Sequence, residues 1–450
     1  MVMTVQAQTN ANSGVSASPQ YQPFLKQLAD EVSADQIEYY TRTLADFGTR
    51  HTMSDTTSDT RGIGAARRWI KKEFEKISEE CGGCLEVYYV SDVIEGVNRI
   101  PEPVNIVNVV AVQRGTADPD RIVMMTGDID SRVSDVMDAE SDSPGANDNA
   151  SGMAGTIEAA RILSKHEFPG TIVYAGLSGE EQGLFGGQIL ADYAIEKDWK
   201  IHAVLNNDMI GNIVGINGVI NNTTARVFSE GTRPTETDRE ARIRRFTGGE
   251  VDSPSRNLAR YIHVMGELYI DNLDVMMIYR LDRFGRGGHH RPFNDVGMPA
   301  VRIMETNENY NWQHQDLRTE DGIEYGDVIE HVDFDYAAKL TGLNIVSLAG
   351  MAKAPAPPSN VQVSGAVRPS TTLSWDELDS AENPQLAGYK VYWRLTTSPV
   401  WTHGRPTGNV SEYTLENIVI DNYFFGVASV SEDGYESPIV FPGPIGSFDR

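Results

Sequence analysis

The hydrophobic positions along the chain follow two alternating periods from about residue 36 to residue 350. Stretches with apolar residues at helical spacing alternate with short, continuously apolar runs that are typical of strands buried on both faces. The helical pattern covers 36–47, 62–77, 150–163, 184–195, 255–268 and 334–349, and the strand pattern covers 85–90, 104–112, 121–126, 171–177, 202–206, 274–279 and 300–304. This alternation predicts an α/β domain with a mostly parallel sheet that is covered by helices on both faces.

The pattern changes at residues 352–359, which read Ala-Lys-Ala-Pro-Ala-Pro-Pro-Ser and predict a stiff linker. We therefore expect a first domain at 21–351 and a second at 360–450, where short strands are separated by turn signals. Residues 1–20 are small and polar, and we expect them to form a disordered lead. Residues 233–245 predict a surface helix or an insertion over the site.

The second domain carries an aromatic pattern in its predicted strands. Trp375 closes one strand, residues 386–393 read Leu-Ala-Gly-Tyr-Lys-Val-Tyr-Trp, and Tyr423 alternates with Phe425 and Val427. This pattern resembles a fibronectin type III module, which implies a small all-β sandwich. Such a module could contact a surface or a polymer.

Composition and charge exclude some partners and constrain the compartment. The net charge of -26 over 450 residues argues against nucleic acid and anionic membranes as partners. No run of about 18 apolar residues predicts a transmembrane segment. Cys81 and Cys84 are the only cysteines, and they indicate a local disulfide of an exported protein, two free thiols or a redox pair. Residues 5–8 could remain from a cleaved export signal, so a secreted or periplasmic location is expected.

Carboxylates follow several of the predicted strands directly. Because the carboxyl ends of parallel strands meet at one edge of a sheet, these side chains should lie together and bind a cation. A metal-dependent hydrolase needs one carboxylate as ligand and another as general base. Asp148 could instead cap the following helix within a solvated acidic loop. The carboxylates are Asp128, Asp130, Asp148, Glu180, Glu181 and Asp208.

Four ordered segments together resemble the co-catalytic di-zinc exopeptidases of the bacterial leucyl aminopeptidase type, peptidase family M28. The segments are 144–152 (Pro-Gly-Ala-Asn-Asp-Asn-Ala-Ser-Gly), 179–184 (Gly-Glu-Glu-Gln-Gly-Leu), 207–211 (Asn-Asp-Met-Ile-Gly) and 297–301 (Gly-Met-Pro-Ala-Val). The resemblance implies an aminopeptidase that acts on peptides with a free N-terminus. It also implies two divalent metals, with zinc as the expected metal. It implies that Asp148 bridges the metals, that Glu181 and His314 complete one site, and that Asp208 belongs to the other. Glu180 would be the general base.

The chain departs from the family motifs around His314, which stands in Tyr-Asn-Trp-Gln-His-Gln-Asp rather than in Tyr-His-Thr, and at two further places. Asp128 stands where the family has the histidine of Gly-His-x-Asp, so the second site would contain Asp128, Asp148 and Asp208. An all-oxygen site is more hospitable to Mn²⁺, Mg²⁺ or Ca²⁺ than a mixed one. Asp130, the second predicted catalytic residue, normally orients that histidine, so its role here is open. His289 and His290 stand where the family has Asp-His; His290 is expected to line the substrate pocket or to be a surface histidine.

Two other functions remain open at this stage. Asp128 could mark a degenerate site in a binding or adhesion protein, although the presence of Glu180 argues against this. The same fold also supports the acyl transfer of glutaminyl cyclase-like proteins.

Overall fold

The computed structural model describes residues 16–448 of the chain. Of the predicted disordered lead, residues 1–15 lie outside the described residues. Residues 16–20 lie against the second domain, where Ser16 forms an isolated bridge with His403 and Ser18 accepts a hydrogen bond from Lys390.

The helices and strands alternate in the first domain, and the second contains only strands and one short helical turn. The helices are α1 (Pro23–Asp30), α2 (Ala34–Ala45), α3 (Gly62–Glu80), α4 (Gly152–Leu163), α5 (Glu180–Gly183), α6 (Phe185–Glu196), α7 (Asp238–Thr247), α8 (Pro254–Tyr269), α9 (His290–Asp295) and α10 (Phe334–Lys353). The strands are β1 (Leu85–Ile94), β2 (Val104–Gln113), β3 (Asp118–Asp128), β4 (Gly170–Leu177), β5 (Lys200–Asn207), β6 (Thr224–Ser229), β7 (Asp274–Ile278), β8 (Ala300–Glu305), β9 (Arg318–Glu320), β10 (Ile323–Tyr325), β11 (Gln362–Ser364), β12 (Thr371–Ser374), β13 (Leu386–Leu395), β14 (His403–Gly408), β15 (Glu412–Leu415) and β16 (Tyr423–Ser431).

Eight strands form the central sheet, in the order β1-β2-β4-β3-β5-β8-β6-β7. The four central strands β4, β3, β5 and β8 run parallel. Strand β2 runs antiparallel to β4, and the edge strand β1 is antiparallel to β2 and so has the direction of the central strands. Helices α4 and α10 pack on one face, around Ile157 and Leu340, and α6 and α9 pack on the other, around Leu190 and Phe293. Every residue of β4 is therefore buried, which explains its continuously apolar sequence. The predicted α/β fold is confirmed.

Residues 233–245 were expected to form either a surface helix or an insertion over the site, and most of them belong to helix α7. It begins with a capping box between Thr237 and Glu240, has no buried residue, and lies beside the second domain rather than over the strand ends. Arg233, just before it, donates to the carbonyl of Ser447. The stretch therefore contains a surface helix.

The second domain consists of two antiparallel sheets, β11-β12-β15 and β14-β13-β16. Trp375, Tyr389 and Val391 lie in the core between them. The small all-β architecture is confirmed, whereas its assignment as a fibronectin type III module stays a prediction.

The proline-rich segment is packed rather than extended as a spacer. Helix α10 continues through Lys353, and Pro355, Pro357 and Pro358 are buried. The Arg121 guanidinium donates to the carbonyls of Met351 and Ala354 at 2.9 and 3.0 Å. The C-terminal end of α10 is thus fixed to the start of β3.

A buried ion network also joins the two domains. Asp252 accepts from Arg260 of α8 at 3.0 Å and from Arg394 of β13 at 2.7 Å, and its side chain is fully buried. Tyr435 of the second domain packs into the hydrophobic cluster that surrounds α10. The domains therefore share a continuous interior.

The two cysteines form a local disulfide directly after α3. Cys81 and Cys84 are joined by an S–S bond of 1.97 Å, with their Cα atoms 5.6 Å apart. Of the three alternatives expected for this pair, the local disulfide is the one observed. Within residues 16–448, no helix combines the length and the apolar character that membrane crossing requires.

Candidate metal centre

A cleft of about 660 Å³ opens at the carboxyl ends of the central strands. Asp128 is the last residue of β3, Asp208 directly follows β5, and the pair Glu180 and Glu181 follows β4 after a tight turn at Gly179. Parallel strands end at the same edge, which places Glu180, Glu181 and Asp208 in the wall of one cleft and leaves Asp128 buried outside that wall. The expected location at the sheet edge is therefore the observed one.

Three side chains at this edge form the one metal-type cluster found among residues 16–448: Asp148, Glu181 and His314. Their ligand atoms all lie within 4.8 Å of one another. Nε2 of His314 is 2.9 Å from Oδ2 of Asp148 and 2.9 Å from Oε1 of Glu181. Two carboxylates and one imidazole with an open side toward the cleft match the donor set of a catalytic zinc site.

The electrostatics of this cluster are those of a site for positive charge. Burial acts to lower the pKa of His314, but the carboxylates of Glu181 and Asp148 outweigh it and raise that pKa to about 9. Burial acts to raise the pKa of Asp148, and the His314 imidazole reverses this and holds it below its usual range. The two carboxylates thus favour a cation between them.

Asp148 reaches the cleft on a loop that is fixed from both sides. The backbone amides of Asn147 and Asp148 donate to the carboxylate of Asp327 at 2.8 and 2.6 Å. Gly145 has a φ of 50°, and a Cβ there would lie 2.4 Å from the side chain of Ser131. The backbone amide of Gly152, the first residue of α4, donates to Oδ1 of Asn149, and the Asp148 side chain makes no capping hydrogen bond to α4. Asp148 remains free to face His314.

Neighbouring polar side chains orient the other two members of the cluster. Arg132 donates to Oε2 of Glu181 through Nε at 2.7 Å, and its Nη2 lies 2.7 Å from Nδ1 of His314. Gln313 donates to Oδ2 of Asp148 at 3.0 Å. The hydrogen bonds to Glu181 and Asp148 fix the rotamers of these two ligands, as outer partners of metal sites do. Sequence analysis did not single out Arg132 or Gln313, because no spacing links them to the strand ends.

Glu180 lies beside the cluster, partly buried in the cleft wall. Burial raises its pKa well above the usual range, and Glu181 and Asp208 add to this effect. A divalent cation bound nearby would lower the pKa of Glu180.

Asp130 holds the backbone of the two neighbouring glutamates. Its two carboxylate oxygens accept from the backbone amides of Glu180 and Glu181 at 3.2 and 3.1 Å, and Thr52 donates to it at 2.9 Å. Asp130 therefore holds the first turn of α5, and with it both glutamates. In this chain it orients a backbone turn rather than an imidazole.

Asp128 and Asp208, the other predicted ligands, are paired with protein groups. Oδ2 of Asp128 accepts from Asn149 at 2.7 Å, and Oδ1 faces Nδ1 of His289 at 2.5 Å. Oδ2 of Asp208 is 2.6 Å from Nη2 of Arg302. Burial raises the pKa of Asp128 to about 7. Within residues 16–448 neither aspartate belongs to a cluster of three ligand atoms.

His290 does not occupy either of the positions expected for it. It is buried, its Nε2 lies 2.8 Å from the carbonyl oxygen of Leu281, and it is absent from the cleft wall. The turn before α9 directs His289, rather than His290, toward the strand ends. The departure of His289 from the family motif was visible in the sequence, but its contact with Asp128 was not.

Comparison with known proteins supports the family assignment. Residues 108–337 match the profile of peptidase family M28. A probable zinc metalloprotease of Pyrenophora tritici-repentis is 43% identical over 439 residues, which cover 96% of this chain and 90% of the relative. A probable zinc metalloprotease of Leptosphaeria maculans is 44% identical over 421 residues, with 93% and 97% covered.

Solved structures share the fold at low sequence identity. The LapA aminopeptidase of Legionella pneumophila aligns with a TM-score of 0.54 and 19% identity, over 76% of this chain and 78% of that one. The glutaminyl cyclase of Macrostomum lignano aligns with a TM-score of 0.51 and 14% identity, over 75% and 95%. On the profile match and the relatives of similar length, this chain belongs to peptidase family M28.

Proposed function

We propose that the protein is a zinc-dependent exopeptidase, and specifically an aminopeptidase. The observation that carries the proposal is the position of Glu180 beside Asp148, Glu181 and His314 in one open cleft. A non-catalytic scaffold needs neither a clustered ligand set nor a carboxylate next to it. The probable zinc metalloproteases that resemble this chain over nearly its whole length support the same assignment.

Asp148, Glu181 and His314 would hold the metal, with Arg132 and Gln313 fixing their orientation. A zinc ion bound there supplies Lewis acidity to the scissile carbonyl and to an attacking water molecule. Glu180 accepts the proton of that water as general base and then donates it to the leaving amine as general acid. Asp130 keeps the Glu180 backbone in place during both transfers.

Asp208 offers a hydrogen-bond acceptor to the amino group of a substrate in the cleft. It lines the cleft, and within the described part of the chain its Oδ1 has no hydrogen-bond partner although it is buried. A buried carboxylate oxygen without a partner is costly, and an N–H group of the substrate would satisfy it. This supports peptides with a free N-terminus as substrates.

Three further points belong to the proposal. The family resemblance implies a second divalent metal, but the reaction described above requires only the metal at Asp148, Glu181 and His314. The disulfide supports a secreted or periplasmic location. The second domain would then be the part available for contact with a surface or polymer.

A substrate panel with metal analysis tests the proposal. Zinc-loaded protein should hydrolyse aminoacyl chromogenic amides and leave the same amides with an acetylated amino group intact. Cleavage of the acetylated series would contradict the aminopeptidase assignment. Cyclisation of glutaminyl peptides without hydrolysis would indicate the acyl-transfer chemistry instead, and absence of both metal and turnover would indicate a binding protein.

A further inference from the structure

We propose that the Arg302 guanidinium takes the position of the second metal, so that the chain binds a single divalent metal. That metal lies at Asp148, Glu181 and His314. The inference concerns the donor groups at the strand ends and does not depend on the proposed peptidase activity.

Arg302 is held rigidly where it meets Asp208. It is the third residue of β8, directly opposite Asn206 of β5, and it is completely buried. Its Nη1 donates to Asp282 at 3.1 Å and to the carbonyl of Gly287 at 2.5 Å, while Nη2 contacts Asp208 at 2.6 Å. The hydrogen bonds of Nη1 thus fix the guanidinium beside Asp208.

Both oxygens of Asp128 already contact protein groups. One accepts from Asn149, and the other faces His289. Asn149 is itself fixed, because the same Nδ2 also donates to the carbonyl of Asn207 and its Oδ1 accepts from two backbone amides. A metal at Asp128 would therefore compete with Asn149 and His289 for the lone pairs of the carboxylate.

His289 does not complete a second metal site in place of the missing histidine ligand. Its Nε2 is buried without a hydrogen-bond partner among residues 16–448, so it could in principle be a ligand. However, His289, Asp128, Asp148 and Asp208 contain no three ligand atoms that lie mutually within 4.8 Å in this part of the chain. The imidazole is directed at Asp128 through Nδ1 instead.

The charge of Arg302 acts against a second dication. A guanidinium is permanently positive in proteins, so it cannot relieve repulsion by losing a proton. Burial acts to lower the pKa of Arg302, but Asp208 and Asp282 outweigh it, and the net direction is upward. A metal ion placed next to it would face a fixed like charge in a buried environment, where repulsion is poorly screened.

The number of zinc ions per chain tests the proposal without any activity measurement. The full chain, saturated with Zn²⁺ and freed of excess by gel filtration, should contain one zinc by mass spectrometry and lose it to a graded chelator in one step. Asp128→Asn and Asp208→Asn should each retain that zinc with less than a threefold change in its dissociation constant. Two zinc ions in the wild type, or loss of zinc from either variant, would overturn the proposal.

Arg302 variants test the residue itself, with zinc binding measured by calorimetry. Arg302→Lys keeps the positive charge and should still bind one zinc. Arg302→Met removes the charge and frees Asp208 to turn toward Asp128 and Asp148, so the number of bound zinc ions should rise from one to two. A count that stays at one in a folded Arg302→Met protein would show that Arg302 is not what occupies the second position. If Arg302→Met does not fold, the number of zinc ions bound by the wild type and by Asp208→Asn still tests whether the chain binds a single metal.

Discussion

Nδ1 of His289 lies 2.5 Å from Oδ1 of Asp128, and both side chains are buried. These are two of the positions at which the chain departs from the motifs it otherwise shares with its family. Asp128 stands where the family has a histidine and His289 stands where it has an aspartate, and in this chain the two departures are in direct contact.

Replacement of Glu180 by glutamine should separate metal binding from catalysis. The amide is nearly isosteric but cannot accept the water proton, so kcat should fall by about 10²- to 10⁴-fold while zinc content is unchanged. Glu167→Gln, at an exposed site, is the control and should behave as wild type. Loss of zinc from Glu180→Gln would mean that the roles of Glu180 and Glu181 are exchanged.

His314→Ala should abolish stable zinc binding. It removes the one nitrogen donor of the cluster, and even outer partners of a metal site typically contribute 10- to 100-fold in affinity, so we expect a loss of at least about 100-fold. Zinc content after gel filtration measures this. His263→Ala on α8 lies away from the cleft and should keep its zinc; zinc retained in His314→Ala would require a different ligand.

Arg50→Met should destabilise the loop that carries Asp148. Arg50 is buried and donates to the carbonyls of Leu44, Ile129, Pro144 and Gly145. Removal of these charged hydrogen bonds should lower the free energy of unfolding by about 3 kcal/mol. Denaturant titration measures the change, with Arg42→Met, an exposed partner of Glu38, expected to lose about 0.5 kcal/mol or less. Equal losses in the two variants would contradict this role.

Asp252→Ala should weaken the connection between the domains. It leaves Arg260 and Arg394 buried without their shared carboxylate, and loss of one partner from a buried ion network costs about 3–5 kcal/mol. Urea unfolding measures the loss, and Asp271→Ala, at a largely exposed pair with Lys26, should change stability by about 1 kcal/mol or less. An Asp252→Ala protein as stable as wild type would show that the second domain is energetically independent.

Most of the sheet and of its covering helices could be predicted, because burial leaves a periodic apolar pattern in the sequence, but β6 and α9 were not predicted. Strands such as β4 are apolar at every position, and helices such as α3 repeat apolar residues at a fixed period. The ribbon of β9 and β10 was missed because its residues are mostly exposed and carry no such record. The packing of 352–359 was missed because proline composition predicts stiffness but not what the segment contacts.

The sequence by itself determined the order of strands and helices, the collection of carboxylates at one sheet edge, and the family motifs that carry them. Only the tertiary structure decided which of these carboxylates lie within ligand distance of His314. Asp148, Glu181 and His314 are far apart along the chain and meet because separate loops direct their side chains to one point. Asp128 and Asp208 are instead paired with His289 and Arg302, which come from the turn before α9 and from β8. Spacing along a chain fixes where a side chain starts, whereas the direction in which it points depends on every element packed around it.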